Sequence, residues 1–524
     1  MKVTGHFSYG DPFRSSCVLA TVSRSKPHWL IISAILATIA GVLCFRHFIS
    51  LDGPTHLLHA SQTWEAWLGV VRSVEGVYPE VGKPHLGDLL LIPLVRVLPV
   101  FLAHKVFAVF SLLMVYTGAL YLSLAYGSRV GPGWLLILPV AFGFPLLLGL
   151  FHFVITCGSV LWCSAWWIRR NELRWRDLLL FGTCIAICQF GHRMGGVLLV
   201  GVVGMQELTG FLIKPSVSAQ RWSFMPKWIR WITVAAVVIG STLMIHGTDL
   251  KTEVLSPDAH DPMLEFMRMR SLLLLDSVAE IPFLIGSGLL FLFGIVLALW
   301  GRWRSMRSIQ PSDALLLLAM VFVFVSIGVR TPKTELLYLA ERTQWLALVL
   351  LAIWLGLQPM PRRMAWVLGI GIVGLHATRT LYIERRMAVC EQHDRSMLDV
   401  ARHFSPNSFV VPVGFDEDWL SRHRTAYTAI AHSGIVFSSR DHVLWGGISY
   451  PYWAQSGFQF HAENDWNWMT EHIQRGRSPH IGQVLVMGTW PEENDASRVN
   501  LSSTLHGYFT RTFHDGYVEV WTAK

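Results

Sequence analysis

Asp52-Gly53-Pro54-Thr55-His56 directly follows the first long apolar run of the chain, residues 29–45. A carboxylate at that point stands at the mouth of a membrane span, and the rest of the sequence supports such a span. Hydrophobic residues make up 52% of the chain and charged residues only 15%, with a mean hydropathy of +0.43. Soluble domains of this size are seldom so apolar. Comparable runs recur at 101–125, 134–150, 151–168, 177–191, 194–213, 229–247, 281–301, 312–329, 343–358 and 364–380. Crossing about 30 Å of hydrocarbon takes roughly 20 apolar residues. The pattern therefore predicts a mainly α, polytopic transmembrane helix bundle of about 11 spans.

Charge placement tests that reading independently, because short cytoplasmic loops are rich in Lys and Arg. Lys2, Arg14, Arg24 and Lys26 precede the first run and place the N-terminus inside. Strict alternation then puts Arg129, the cluster Arg169, Arg170, Arg174 and Arg176, the cluster Lys214, Arg221, Lys227 and Arg230, the group Arg302, Arg304 and Arg307, and Arg362 with Arg363 on the same side. Asp52, the loop 248–280 and everything beyond about 381 fall outside. The net charge of +8 reads as membrane topology and attraction to membrane lipids, with no nucleic-acid partner. The first run lacks a small-residue cleavage site and reads as a retained anchor. Cys44, Cys157, Cys163, Cys184 and Cys188 fall in or beside spans, Cys17 lies inside and Cys390 outside, which makes neither a disulfide framework nor a zinc site.

Residues 56–74 repeat Leu57, Trp64, Trp67, Leu68 and Val71 at helical spacing, with His59, Gln62, Thr63, Arg72 and Glu75 mainly opposite. That predicts a helix lying in the membrane interface. A loop with Tyr78, Glu80, Lys83, His85 and Asp88 leads to a second short interfacial helix over 89–100, broken by Pro93 and Pro99. From 381 to 524 the composition turns polar and aromatic. Short β-type runs at 408–413, 482–487 and 517–521 and helical stretches at 394–404 and 466–474 predict an α/β domain. The division is then 1–380 for the membrane module and 381–524 for an extracytoplasmic α/β domain. Asn500-Leu501-Ser502 matches a glycosylation sequon.

Asp52 suits a catalytic base, and it also suits the N-cap of a helix beginning near Pro54. His56, one turn on, could ligate a divalent metal ion with Asp52, orient it, or be a plain interfacial histidine. His85 and Asp88 form a similar pair. His152, inside a span, needs a polar partner. His192 suits a turn-fixing hydrogen bond, with Arg193 beside it. Cations on the outer side are Lys83, Arg193, Arg268, Arg270, Arg330, Lys333 and Arg342. They either bind a phosphate or snorkel to headgroups. Arg342 is favoured, because it opens an apolar run where an unpaired charge is costly. The acidic outer loop 248–280 reads as solvated, or as a lid. The aromatic group Trp445, Tyr450, Tyr452, Trp453, Phe458 and Phe460 reads as a small-domain core, or as rings for sugar faces.

Taken together these residues resemble the multi-span glycosyltransferases of the GT-C class, in the bacterial RgtA/B/C/D-like branch related to lipid A aminoarabinose transferases. The strongest element is the acid after the first span, Asp52, followed by two interfacial helices. Phe151-His152-Phe153 is similar to a Phe-Asn-Phe element, Gly191-His192-Arg193 to a Ser-His-Pro turn, and Glu341-Arg342 to an acidic-Arg pair opening a late span. Asp418-Trp419 with His423 and Tyr427 resembles the start of the outer domain in a subset of the class.

The resemblance implies transfer of a sugar from a polyprenyl-phosphate-linked donor to an extracytoplasmic glycan, lipid or protein acceptor, with inversion. Asp52 would be the base, and His56, Lys83, His85, His192, Arg193, Arg330, Lys333 and Arg342 the substrate-binding set. No Walker or GxGxxG element opens a helix after a strand, so no nucleotide site is expected. Asp465-Trp466-Asn467-Trp468 lacks the Trp-Trp-Asp order of oligosaccharyltransferases. A transporter or flippase would show inverted repeats with interrupted helices, and none is evident. A sensor with an outer binding domain would leave Asp52 dispensable.

Overall fold

A computed structural model describes residues 26–45, 48–69, 86–127, 130–170, 172–213, 262–272, 278–305, 309–328, 339–405, 408–415, 424–431, 435–436, 473, 481–488, 490 and 496–524. The first apolar run forms α1 (Lys26–Cys44). Two short helices follow, α2 (Gly53–Trp67) and α3 (Leu86–Val97), and then α4 (Val100–Tyr126). Pro93 lies inside α3 and only Pro99 interrupts the path, at the N-cap of α4, so the expected break at Pro93 does not occur. Leu57 is buried and Trp67 exposed on α2, but Thr63, expected on the polar side, is fully buried and bonded to the His59 carbonyl at 2.8 Å.

Residues 134–150, expected as one span, form a 3-10 turn (Pro132–Leu136) and the short helices α5 (Ile137–Ala141) and α6 (Phe144–Leu147). Prolines at 132, 139 and 145 and glycines at 143 and 149 prevent a continuous hydrogen-bond ladder. Broken backbone at membrane depth must be covered by protein and have its carbonyls bonded. Both conditions hold. Every residue from 130 to 150 is buried or half-buried. The carbonyl of Leu138 accepts from the Tyr116 hydroxyl (3.3 Å), that of Pro139 from Arg379 Nη1 (2.8 Å) and that of Val140 from Trp345 Nε1 (2.7 Å).

The bundle continues with α7 (Phe151–Ile168), α8 (Trp175–Gly191), α9 (Gly195–Ile213), α10 (Pro262–Met267), α11 (Ile281–Arg304), α12 (Asp313–Gly328), α13 (Leu339–Leu357) and α14 (Arg362–Val400). Nine expected runs thus coincide with single helices, while 229–247 lies outside the described residues. Among the described residues, five helices are long and apolar enough to cross a membrane: α4, α7, α11, α13 and α14 with its 3-10 extension. On α11, Ile285, Leu289, Leu292, Val296 and Leu299 are exposed at spacings of three and four, with Phe291, Gly294 and Ala298 buried behind them. An apolar stripe turned outward is what a lipid-facing helix needs. α4 and α7 pack closely through glycine: a Cβ on Gly118 would come 2.7 Å from the Gly158 carbonyl, and one on Gly158 would come 2.6 Å from Met114 backbone.

α14 runs 39 residues without a break across position 380 and ends inside the C-terminal α/β unit. That unit contains β1 (Phe409–Gly414), α15 (Thr425–Ala431), β2 (Ile435–Val436), β3 (Gln483–Met487), α16 (Ala496–Tyr508), β4 (Phe509–His514) and β5 (Val518–Ala523). The sheet order is β2-β1-β3-β5-β4, with β1 parallel to β2 and β3, and β5 antiparallel to β3 and β4. One face packs Val411, Val413, Val484 and Val486 on Leu501 and Leu505 of α16. The other packs Val410, Leu485, Val518 and Val520 on Met397 and Val400 of α14. Cover on both faces accounts for the unbroken apolar run in β3. The expected strands at 408–413, 482–487 and 517–521 are present, and the helical stretch at 394–404 is the end of α14. The stretch 466–474 and the aromatic group 445–460 fall outside the described residues, apart from Ile473.

Candidate active site

Asp52 sits at the N-cap of α2 and is 8% exposed. Its carboxylate makes no capping hydrogen bond, so the cap does not account for an acid here. The backbone is pinned by the broken segment: the Leu51 N–H donates to the Leu147 carbonyl (2.9 Å) and the Asp52 N–H to the Leu148 carbonyl (3.0 Å). Gly149 then turns back with φ +87°, and a Cβ there would lie 2.9 Å from the Asp52 and Gly53 nitrogens. Only glycine combines that dihedral with that approach.

Gly149 also delivers the chain into α7, whose first residues are Phe151-His152-Phe153. Phe151 meets the rings of His56, His104 and Phe107 edge-on, with centroids at 6.2, 5.7 and 5.2 Å. His152 Nε2 lies 3.2 Å from His56 Nδ1 and 3.1 Å from Asp88 Oδ1. His59 Nδ1 approaches the same carboxylate at 3.6 Å. His56 is therefore grouped with Asp88 and His152 rather than with Asp52, as the sequence had suggested. Burial first, and then the neighbouring His152, push the His56 ring down to about 3, so it is neutral at ordinary pH. Burial works to raise Asp88, but hydrogen bonds from His152 and His59 outweigh it and hold the carboxyl well below the usual carboxylate range.

Phe153 opens the other half of the site. Its ring lies against His192 (5.4 Å between centroids) and Trp345 (5.7 Å), and the Arg342 guanidinium stands over it at 5.5 Å. His192 occupies the turn between α8 and α9, as expected. The Met194 N–H donates to its Nδ1 (3.2 Å), which leaves the ring proton on Nε2, and Nε2 faces Arg342 Nη1 at 3.4 Å. Two donors thus meet across that gap. Glu341 pairs with Arg270 Nε at 3.4 Å, and Gln344 accepts from the Ser271 N–H (3.0 Å) and donates to the Phe266 carbonyl (2.7 Å).

Asp52, His56, His192 and Arg342 are thus all ranged around Phe151-His152-Phe153, while Arg193 is exposed beside them. Lys83, His85, Arg330 and Lys333 lie outside the described residues. Asp88 was visible in the sequence only as a possible partner of His85. Ser50 and His104, joined at 2.9 Å behind Gly53, carried no local signal.

No protein-family model matches the chain, and no curated protein matches it. Among solved structures it is similar to ArnT from Cupriavidus metallidurans bound to undecaprenyl phosphate, with a TM-score of 0.54 and 12% identity over 95% of this chain and 98% of that one. This is the fold of ArnT. The ArnT-like arrangement meets the expectation of a GT-C type helix bundle with a small C-terminal sheet.

Proposed function

We propose that the chain is an integral membrane glycosyltransferase that moves a sugar from a polyprenyl-phosphate donor to an extracytoplasmic acceptor with inversion, Asp52 acting as general base. The observation that carries this is the arrangement around Phe151-His152-Phe153. A buried aspartate has its backbone pinned against the Leu147–Gly149 turn on one side, and two hydrogen-bond donors, Arg342 and His192, face each other on the other side. An anionic oxygen accepting from both would turn their opposition into attraction, and a lipid phosphate supplies such an oxygen. The ArnT fold, solved with undecaprenyl phosphate, supports the same donor class.

In this reading the acceptor hydroxyl attacks the anomeric carbon, its proton passes to Asp52, and the bond from that carbon to the phosphate oxygen breaks. Polyprenyl phosphate departs with the electron pair towards Arg342 and His192. One carboxylate suffices, since the leaving group needs no protonation, unlike that of a glycosidase. Lys83, His85, Arg193, Arg330 and Lys333 complete the proposed phosphate and sugar contacts. Residues 1–380 form the catalytic module of a bacterial inner-membrane protein, and 381–524 its extracytoplasmic domain.

Asp52→Asn tests the assignment, because the amide keeps the size and shape of the side chain and only the base is removed. Transfer from polyprenyl-phosphate sugar is expected to fall at least about 100-fold with folding intact. Full activity in that variant would refute the base. Lipid-linked sugar pools that are unchanged when the protein is deleted would refute the transferase and favour a transporter or sensor.

A further inference from the structure

At the end of the bundle away from Asp52, a guanidinium stands over a column of aromatic rings. Arg169 follows the last turn of α7, about 27 Å along the helix from Phe151 and so close to the roughly 30 Å of a hydrocarbon layer. Its Cζ lies 4.4 Å from the centroid of the Tyr121 ring of α4, and that ring lies 4.6 Å from Trp162 of α7. The Trp162 Nε1–H donates to Thr117 Oγ1 at 3.1 Å. Gly118 leaves room for the indole, since a Cβ there would come 3.1 Å from Trp162 Cδ1. Trp162 is nonetheless 39% exposed. Indoles near a membrane surface ordinarily turn the N–H towards the headgroups. Here that single polar atom is bonded within the helix pair, so what the ring offers outward is carbon. Neighbouring Arg170 is held by Asp177 at 3.8 Å and stands over Trp166 at 5.1 Å. No carboxylate among the described residues pairs with Arg169.

We propose that this column binds one anionic glycerophospholipid, with its phosphate on Arg169 and an acyl chain along Tyr121 and Trp162. Charge and depth argue together. Trp162 lies about 10 Å nearer the middle of α7 than Arg169 does, the direction in which acyl chains descend from a phosphate. A guanidinium stacked on a ring keeps its N–H edge free for phosphate oxygens, and the stacking holds its plane in place. Arg174 and Arg176, both exposed just beyond the same turn, add to the positive potential there. A choline headgroup carries its own cation and would offset that attraction. The site stands on the membrane fold alone and does not depend on the sugar-transfer reading.

The test titrates the full-length protein in detergent with phosphatidylglycerol, with phosphatidylcholine of the same acyl chains, and with glycerol phosphate alone. Phosphatidylglycerol is expected to raise the unfolding temperature saturably, and the other two to have little effect. That comparison needs no variant. Arg169→Gln should weaken the phosphatidylglycerol effect about fivefold. Phosphatidylglycerol with brominated chains should quench tryptophan fluorescence more in the unaltered protein than in Trp162→Phe. Equal stabilisation by the choline lipid would overturn the proposal, and so would an unchanged titration in Arg169→Gln. Equal stabilisation by glycerol phosphate would also overturn it, because the site would then take a phosphate without a lipid.

Discussion

The Tyr427 hydroxyl lies 3.0 Å from His104 Nδ1, joining helix α15 of the C-terminal unit to α4 of the bundle. The other ring nitrogen of His104 meets Ser50 Oγ at 2.9 Å. Gly53, the residue after Asp52, is pressed against both, since a Cβ there would come 2.1 Å from His104 Nε2 and 2.4 Å from Ser50 Oγ. The C-terminal unit therefore reaches the turn that carries Asp52 through two hydrogen bonds.

Tyr427→Phe removes the link and keeps the ring. Loss of a buried partner should cost about 1–3 kcal/mol, read as a lower unfolding temperature in detergent. Because the ring of His104 backs the Asp52 turn, kcat for sugar transfer should fall roughly tenfold or more. KM for the lipid donor should stay near its original value, which a purely structural role would not predict.

Gly149→Ala combines a left-handed dihedral with a clash against Asp52 and Gly53. The dihedral alone costs about 1–2 kcal/mol for a residue with a Cβ. Thermal unfolding should shift down, and transfer should drop even at temperatures where the variant is folded.

Arg342→Lys keeps the charge and loses the planar fork over Phe153. A lysine cannot reproduce the opposed geometry with His192. Steady-state kinetics should show a raised KM for the polyprenyl-phosphate sugar, by about an order of magnitude.

Asp394 and Arg424 form an ion pair at 2.8 Å with side chains essentially sealed from solvent. Arg424 also donates to the Tyr517 hydroxyl at 2.9 Å, and His393 stacks on that ring with centroids 3.7 Å apart. Asp394→Asn strands a buried guanidinium and should cost about 3–5 kcal/mol, whereas Asp394→Leu with Arg424→Met should restore much of it. Chemical or thermal denaturation of the three proteins side by side checks the order.

Much of this architecture is legible from hydrophobic periodicity, because a span has to be long and apolar wherever it lies in the bundle. The 134–150 segment misled for a physical reason. Its composition is that of a span, but its prolines and glycines decide its shape, and it is rescued by distant side chains such as Arg379 and Trp345. Asp52, His192 and Arg342 stood out as polar groups at span mouths. The grouping of His56 with Asp88 and His152 did not, since the partners are 32 and 96 positions away in the chain and only the packing of α2, α3 and α7 joins them. Asp394 gave no warning either, lying in a stretch that reads only as helical.

The unbroken α14 gives the molecule a fixed gearing. Its 39 residues make a rod about 58 Å long, nearly twice the thickness of the hydrocarbon layer. Adding or removing one residue between 381 and 393 would advance the far end by about 1.5 Å and rotate it by about 100°. Asp394 and Arg424 both lie beyond that stretch and would travel together, but Tyr427 would swing away from His104 in one screw motion. The phase of this helix therefore has to stay constant even where its exposed side chains are free to vary.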